Sequence, residues 1–253
     1  MGIDEKVSVQ AHTGGFMKGI LIVIDGTDGS GKKTQSELLI RHLEREGYAA
    51  VYFDFPQHGK PSAALVDEYL NGKFGKAHEV APKAASIFYA ADRYAASFDI
   101  RAALGEGKIV VCDRYVSANQ GHQAGKISDI KERDAFLAWL DELEFGIFGI
   151  PRPDINILLY LPPVMGQILV DRKQLRAYIG GNAKRDIHEN DLGHLNAAAN
   201  AFLYCAKKYQ WTVINCNSGD AFISKEDIHE KVWEAVQPQL PTTEFIEPNL
   251  KNY

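Results

Sequence analysis

Cysteine is scarce in this chain: Cys112, Cys205 and Cys216 are its only three among 253 residues. An odd number without metal-type spacing excludes a disulfide framework and a zinc-finger-like site. Cys112 and Cys216 lie in apolar, strand-like segments, so reduced buried thiols of a cytoplasmic protein are expected, and nothing supports a catalytic cysteine. A basic run or face is also missing. Net charge is −5 with acids and bases interspersed, which argues against a nucleic-acid partner. No apolar stretch is long enough to span a membrane, and no basic-then-apolar pattern marks a secretory signal, so no membrane partner is expected. No linker or internal repeat divides the chain. With 45% hydrophobic residues it suits one α/β domain, expected over 18–237, between a flexible leader at 1–17 and an irregular, proline-bearing tail at 238–253.

What is present is concentrated between residues 19 and 35. The apolar run Gly19-Ile-Leu-Ile-Val-Ile24 leads directly into Gly26-Thr-Asp-Gly-Ser-Gly-Lys-Lys-Thr34. A buried strand, a glycine-rich turn and a helix in that order form a cradle for nucleotide phosphates. Gly26, Gly29 and Gly31 let the backbone wrap and aim its N–H groups inward. Lys32 adds a mobile positive charge, and the helix presents its positive end. The full pattern wants a hydroxyl directly after that lysine, to bind Mg²⁺. Here Lys33 stands there and Thr34 follows.

The rest of the chain alternates strands with helices. Helices are expected over Lys33–Glu46, from Pro61 to Asn71-Gly72, over Pro82–Gly105, Ile130–Glu144 and Lys225–Val236. Strands are expected at Ala49–Phe55, Ile109–Cys112, Ile155–Leu161 and Trp211–Asn215. Residues 163–210 read as helical, broken at Gly180-Gly181-Asn182. That alternation implies an α/β fold with a five-stranded parallel sheet and helices on both faces. In such a sheet ligands bind beyond the carboxyl ends of the strands, which brings the phosphate loop beside the Cys112–Tyr115 turn.

Asp113-Arg114-Tyr115 ends an apolar strand. An acid there is placed to hold Mg²⁺ or its waters beside phosphates, and Arg114 can grip a phosphoryl group with two parallel bonds. Alone, the pair could equally be an ion pair closing a strand. The following segment holds Asn119, Gln120 and Gln123, whose amides can read a base edge or merely satisfy backbone. Tyr89 and Arg93 share a helix face, suited to stacking on a base and donating to its carbonyl, or to plain packing. Arg172, Lys173, Arg176, Lys184 and Arg185 cluster around the glycine break, as a lid closing on transferring phosphates would, or as a solvated face would.

With these sites in hand, the chain resembles the thymidylate kinases, P-loop nucleoside monophosphate kinases. The matching segments are Asp28 to Gln35, Phe55-Pro56, Gly59 to Ser62, Tyr69 to Gly72, Phe88 to Arg93, Cys112 to Tyr115, Asn119 with His122-Gln123, Pro151 to Asp154, and Asp186-Ile-His-Glu189. The resemblance implies a three-layer P-loop kinase fold with a mobile lid (about 171–188), ATP and Mg²⁺ as cofactors, dTMP as acceptor and a homodimer. It implies that Gly26, Asp28, Gly29, Ser30, Gly31, Lys32, Lys33 and Thr34, with Arg172, bind ATP. By the same resemblance Asp28 sits near the sugar 3′-hydroxyl, Arg114 holds the monophosphate, Tyr89 stacks on thymine, Arg93 donates to its O4 and Asn119 helps read its edge. His122 falls where an aromatic ring packs on the sugar. Phe55 and Pro56 line the acceptor site, Arg172 and Arg176 belong to the lid, and Asp28, Asp113 and Glu189 assist the metal.

Two departures stand out, with a third feature, Gly29, that classifies the chain within the family's variation. Many family members carry arginine after Phe-Pro, touching the acceptor phosphate; here Gln57-His58 follows, which leaves Arg114, with Lys60 or His58 helping. Lys33 replaces the metal-binding hydroxyl. Gly29 stands where some relatives have an arginine in the loop, so the lid must supply that charge. Three rivals stay open: another nucleotide or deoxynucleoside kinase of this fold, a P-loop ATPase switch without an acceptor, and a catalytically dead relative crippled by Lys33 and Gln57.

Overall fold

The computed structural model describes residues 19–171 and 192–241. Five strands form one sheet: β1 (Ile20–Gly26), β2 (Ala50–Asp54), β3 (Ile109–Asp113), β4 (Ile155–Tyr160) and β5 (Thr212–Asn215), in the order β2-β3-β1-β4-β5 with every pairing parallel. The expected sheet is therefore present. Eight helices accompany it among the described residues: α1 (Lys32–Arg45), α2 (Ala64–Leu70), α3 (Pro82–Gly105), α4 (Val116–His122), α5 (Ile130–Asp141), α6 (Pro163–Asp171), α7 (Leu192–Tyr209) and α8 (Lys225–Val236).

The central strands read as unbroken apolar runs because both faces are covered. Leu21 and Val23 of β1 and Val110 and Cys112 of β3 pack with Ile100, Leu137 and Ala201 of α3, α5 and α7. The alternate residues, Ile22, Ile24, Ile109 and Val111, pack with Leu39 and Leu43 of α1 and with Ile228 and Val232 of α8. Cys112, Cys205 and Cys216 are free and buried.

Three local features differ from the sequence expectation. The amide-rich stretch after Tyr115 is helix α4, despite Gly121 in its last turn. A Cβ at Gly121 would lie 2.3 Å from the Phe202 ring, so the glycine exists to let α4 approach α7. The fifth helix continues beyond Asp141 as a π-turn, Glu142–Ile147. A two-residue hairpin, Asn217–Ser218 with Ala221–Phe222, follows β5. The expected leader, the lid and the end of the tail lie outside the described residues, as do Arg172, Lys173, Arg176, Lys184, Arg185 and Glu189.

Candidate active site

The end of β1 passes into the phosphate loop at Gly26, where a Cβ would sit 2.0 Å from the Leu159 carbonyl oxygen. Gly29 and Gly31 take left-handed φ values of 78° and 90°, which glycine adopts without strain. The loop is fastened from below by Thr27: its hydroxyl donates to the Leu161 carbonyl at 2.6 Å and accepts from the Leu161 amide at 2.8 Å. No side chain caps the start of α1 at Gly31, leaving its first N–H groups for an anion.

Gly29 has a second reason to be glycine. A Cβ there would meet the Gly166 carbonyl oxygen of α6 at 2.5 Å, and one on Gly166 would meet the Asp28 carbonyl oxygen at 2.1 Å. Helix α6 thus rests backbone-to-backbone on the loop. An arginine at position 29 has no room, so the cationic charge must come from other segments.

Lys32, nearly buried, bends back over the loop and donates to the Gly26 and Thr27 carbonyls at 3.0 and 2.9 Å. Its ammonium is 3.8 Å from Asp28 Oδ1. Burial, reinforced by the Arg114 charge, pulls the amine down to about 8. Lys33 and Thr34 are exposed, and Lys33 reaches 4.0 Å from Asp54 at the end of β2. Ser30 Oγ is buried with no hydrogen-bond partner among the described residues.

Asp113 and Arg114 stand beside this loop because β3 neighbours β1, with Ile24 level with Asp113. Arg114 has φ 65°, a left-handed conformation costly for a side-chain-bearing residue. That turn swings its guanidinium to Asp28 Oδ1 at 3.1 Å and within 3.8 Å of Asp25 Oδ1. Arg114 Nη1 also lies 3.3 Å from His122 Nε2. Since arginine only donates, Nε2 accepts. Burial pulls His122 down to about 3 against the pull of Asp28, so the ring is neutral. Burial alone would raise Asp28, yet Lys32 and Arg114 hold it well below the ordinary carboxylate range. Asp28, Lys32, Arg114 and His122 are therefore one coupled group.

Asp25 had no place in the sequence reading beyond the end of an apolar strand. It is a hub: Oδ1 accepts from Gly26 N at 2.8 Å and Oδ2 accepts from Ser117 Oγ at 2.7 Å. A charged residue closing an otherwise apolar strand was the available signal.

Asp113 differs from Asp28. Its Oδ1 is buried with no hydrogen-bond partner among the described residues, and burial, with Asp54 adding, pushes the carboxyl up to about 6. A buried carboxylate oxygen without a hydrogen-bond partner among the described residues, beside a phosphate cradle, fits a hard cation such as Mg²⁺. Among the described residues no three His, Cys, Asp or Glu side chains converge on a metal position. The fit is thus to an ion held mostly by phosphates and water. Folded Asp113 keeps its proton to higher pH than a free carboxyl, and only its ionised form would hold a metal. Hence kcat/KM, which reports the free enzyme, is expected to fall below about pH 6; a profile flat down to pH 5 would contradict the assignment.

The expected base site lies around α3. Tyr89 is half-buried and edge-on to Tyr69, with ring centroids 6.2 Å apart. Asn119 Nδ2 donates to the Ser86 carbonyl at 3.2 Å. Arg93 is not laid open along the helix face. It is fully buried and ion-paired with Glu144 of the π-turn, while Nη1 donates to the Tyr115 carbonyl at 3.2 Å. Nε, Nη1 and Nη2 each have an acceptor, which by count leaves one N–H on each terminal nitrogen for a further one. Glu144 lies 51 residues away in sequence and had no sequence signal. Phe55 packs edge-on against Tyr115 at 5.8 Å, Pro56 follows it, and His58 Nδ1 pairs with Asp67 Oδ1 at 2.5 Å.

Comparison with known proteins agrees with this geometry. A family model described as thymidylate kinase matches residues 24–231. The chain is 31% identical over 173 residues to the thymidylate kinase of Mycobacterium tuberculosis, covering 68% of this chain and 78% of that one. It is 33% identical over 147 residues to a probable thymidylate kinase of Pyrococcus horikoshii, covering 58% and 67%. The solved thymidylate kinase of Candida albicans superposes with a TM-score of 0.66 at 22% identity, covering 88% of this chain and 92% of the other, and so shares the fold. The phosphate loop, the coupled Asp–Arg turn and the matched span lead to one statement: this chain belongs to the thymidylate kinase family of phosphotransferases.

Proposed function

We propose that the protein transfers the γ-phosphoryl group of ATP to dTMP, giving ADP and dTDP. The observation that carries this reading is Arg114, which links Asp28 in the loop to the strand end carrying Asp113, where donor and acceptor phosphates would meet. A dTMP phosphate oxygen attacks the γ-phosphorus in line, the new P–O bond forms as the bond to ADP breaks, and no strong base is needed because the nucleophile is already anionic. The chain supplies position and positive charge.

The loop N–H groups of Gly26 to Thr34 and Lys32 hold the donor. Asp113, through Oδ1, is the best-placed ligand for Mg²⁺, with Asp28 and Glu189 assisting. When bound, that ion neutralises phosphate charge. Arg114 grips the acceptor phosphate. Tyr89 stacks on thymine, Arg93, set by Glu144, donates to O4, and Asn119 completes the base edge. His122 and Asp28 face the sugar. Phe55, Pro56 and His58 border the acceptor, and Arg172 and Arg176 cover ATP.

A coupled assay of ADP formation with dTMP, dUMP, dCMP, dGMP and thymidine tests the reading. Preference for dTMP is expected; a preference for thymidine or a purine nucleotide would overturn it. Buried reduced thiols support a cytoplasmic location, and no described helix is long and apolar enough to cross a membrane.

We further propose a homodimer formed along α3. Ile87, Tyr94 and Phe98 recur on one face and are 46%, 41% and 55% exposed, an unusual density of apolar surface on one helix. Phe98→Glu is expected to convert a dimer into a monomer by light scattering. A monomeric wild-type protein at micromolar concentration would contradict this.

A further inference from the structure

The turn after β2 holds a polar relay that neither the phosphate loop nor the base site uses. Asp92 of α3 is buried, and its carboxylate accepts from Gln57 N at 2.8 Å, from Gln57 Nε2 at 3.1 Å and from Ser62 Oγ at 2.6 Å. These bonds orient the Gln57 amide, because its nitrogen must face the carboxylate. The amide oxygen therefore points outward, and it accepts from Lys60 Nζ at 2.5 Å. The backbone repeats the link, Lys60 N donating to Gln57 O at 3.0 Å.

Lys60 is unlike the other cations along this rim. Lys32 lies against Asp28, Lys33 against Asp54 and Arg114 against Asp28 and Asp25. Lys60 has no carboxylate within ion-pair distance among the described residues, and its partner is a neutral amide held by Asp92. The turn leaves the end of β2, where Asp54 is level with Asp113, and Phe55 N donates to the Asp113 carbonyl at 3.0 Å. A lysine held by a neutral acceptor keeps its full charge for an incoming anion. A monophosphate brings nearly two negative charges, and Arg114 is already shared between two carboxylates.

We propose that Lys60 is a ligand of the acceptor's 5′-phosphate and that Gln57, fixed by Asp92, is the positioning residue that holds it there. The assignment rests on the acceptor reading given above. Titration calorimetry of the full chain with dTMP and with thymidine, which lacks the phosphate, tests it. Lys60→Met is expected to weaken dTMP about tenfold, the loss of one charge-assisted contact, and to leave thymidine affinity unchanged. Gln57→Ala is expected to weaken dTMP less, and the double variant no more than Lys60→Met alone, because the two act as one unit. Unchanged dTMP affinity in Lys60→Met would overturn the proposal, as would equal losses for dTMP and thymidine, the mark of a collapsed turn. Additive losses in the double variant would overturn the role of Gln57. The wild-type titration separates the two levels: no dTMP binding there overturns both, whereas equal binding in wild type and variant overturns this inference alone.

Discussion

Lys32→Ala is expected to lower turnover at least about a hundredfold, the usual cost of removing one preorganised group that stabilises transition-state charge. The ammonium sits over the loop on two carbonyls and faces Asp28. Bound phosphate oxygens offer it stronger acceptors than those carbonyls, so its bonds tighten where charge moves between nucleotides. The amine is also depressed to about 8 in the free protein. The wild-type kcat/KM, which reports the free enzyme, should therefore decline above about pH 8, and Lys32→Ala should lack that decline. Acceptor binding should change little, since the proposed function assigns Lys32 to the donor side. Steady-state kinetics with both substrates varied decides it. Near-native turnover would refute the role of Lys32.

Arg114→Ala is expected to do comparable damage, at least about a hundredfold in kcat/KM, with a different signature. Here the acceptor KM should rise together with the fall in turnover. Stability should fall as well, because Asp28 and Asp25 would lose the guanidinium that now lies 3.1 and 3.8 Å from them, and an uncompensated buried charge is strongly destabilising. Asp28 would then titrate in a higher range, since its lowered carboxyl depends on Lys32 and Arg114 outweighing burial. Its contribution is present above the unfolded carboxylate range and is lost as pH falls through the folded value, so the variant's deficit should shrink in acid. Arg114→Lys keeps one charge but not the two-pronged geometry. It should recover stability more than activity. Arg114→Gly removes the side chain while relaxing φ 65°, so equal activity of the Gly and wild-type proteins would show that the backbone turn, not the guanidinium, matters.

Much of this frame was legible because it obeys local rules. The strand–loop–helix from Ile20 to Arg45 announces itself through an apolar run and spaced glycines, and Pro82–Gly105 and Lys225–Val236 show helical periodicity with clear ends. Helix α4 was not legible, because Ser117, Asn119 and Gly121 carry poor helix propensity; its stability comes from packing on α7 at Phe202, about eighty residues away. The partners of the site residues were hidden for the same reason. Glu144 beside Arg93, Asp92 beside Gln57 and Gly166 beneath Gly29 meet only after the sheet has formed. Sequence order lists the reactive groups, but which cation faces which carboxylate is a property of packing.

The central claim is direct transfer between two nucleotides held end to end. Phosphorus NMR of ATP, dTMP, Mg²⁺ and the protein in one sample tests it without a coupling enzyme. The account predicts ADP and dTDP appearing in equal amounts, with no inorganic phosphate and no reaction when dTMP is omitted. ADP and inorganic phosphate accumulating at the same rate with or without dTMP would contradict it.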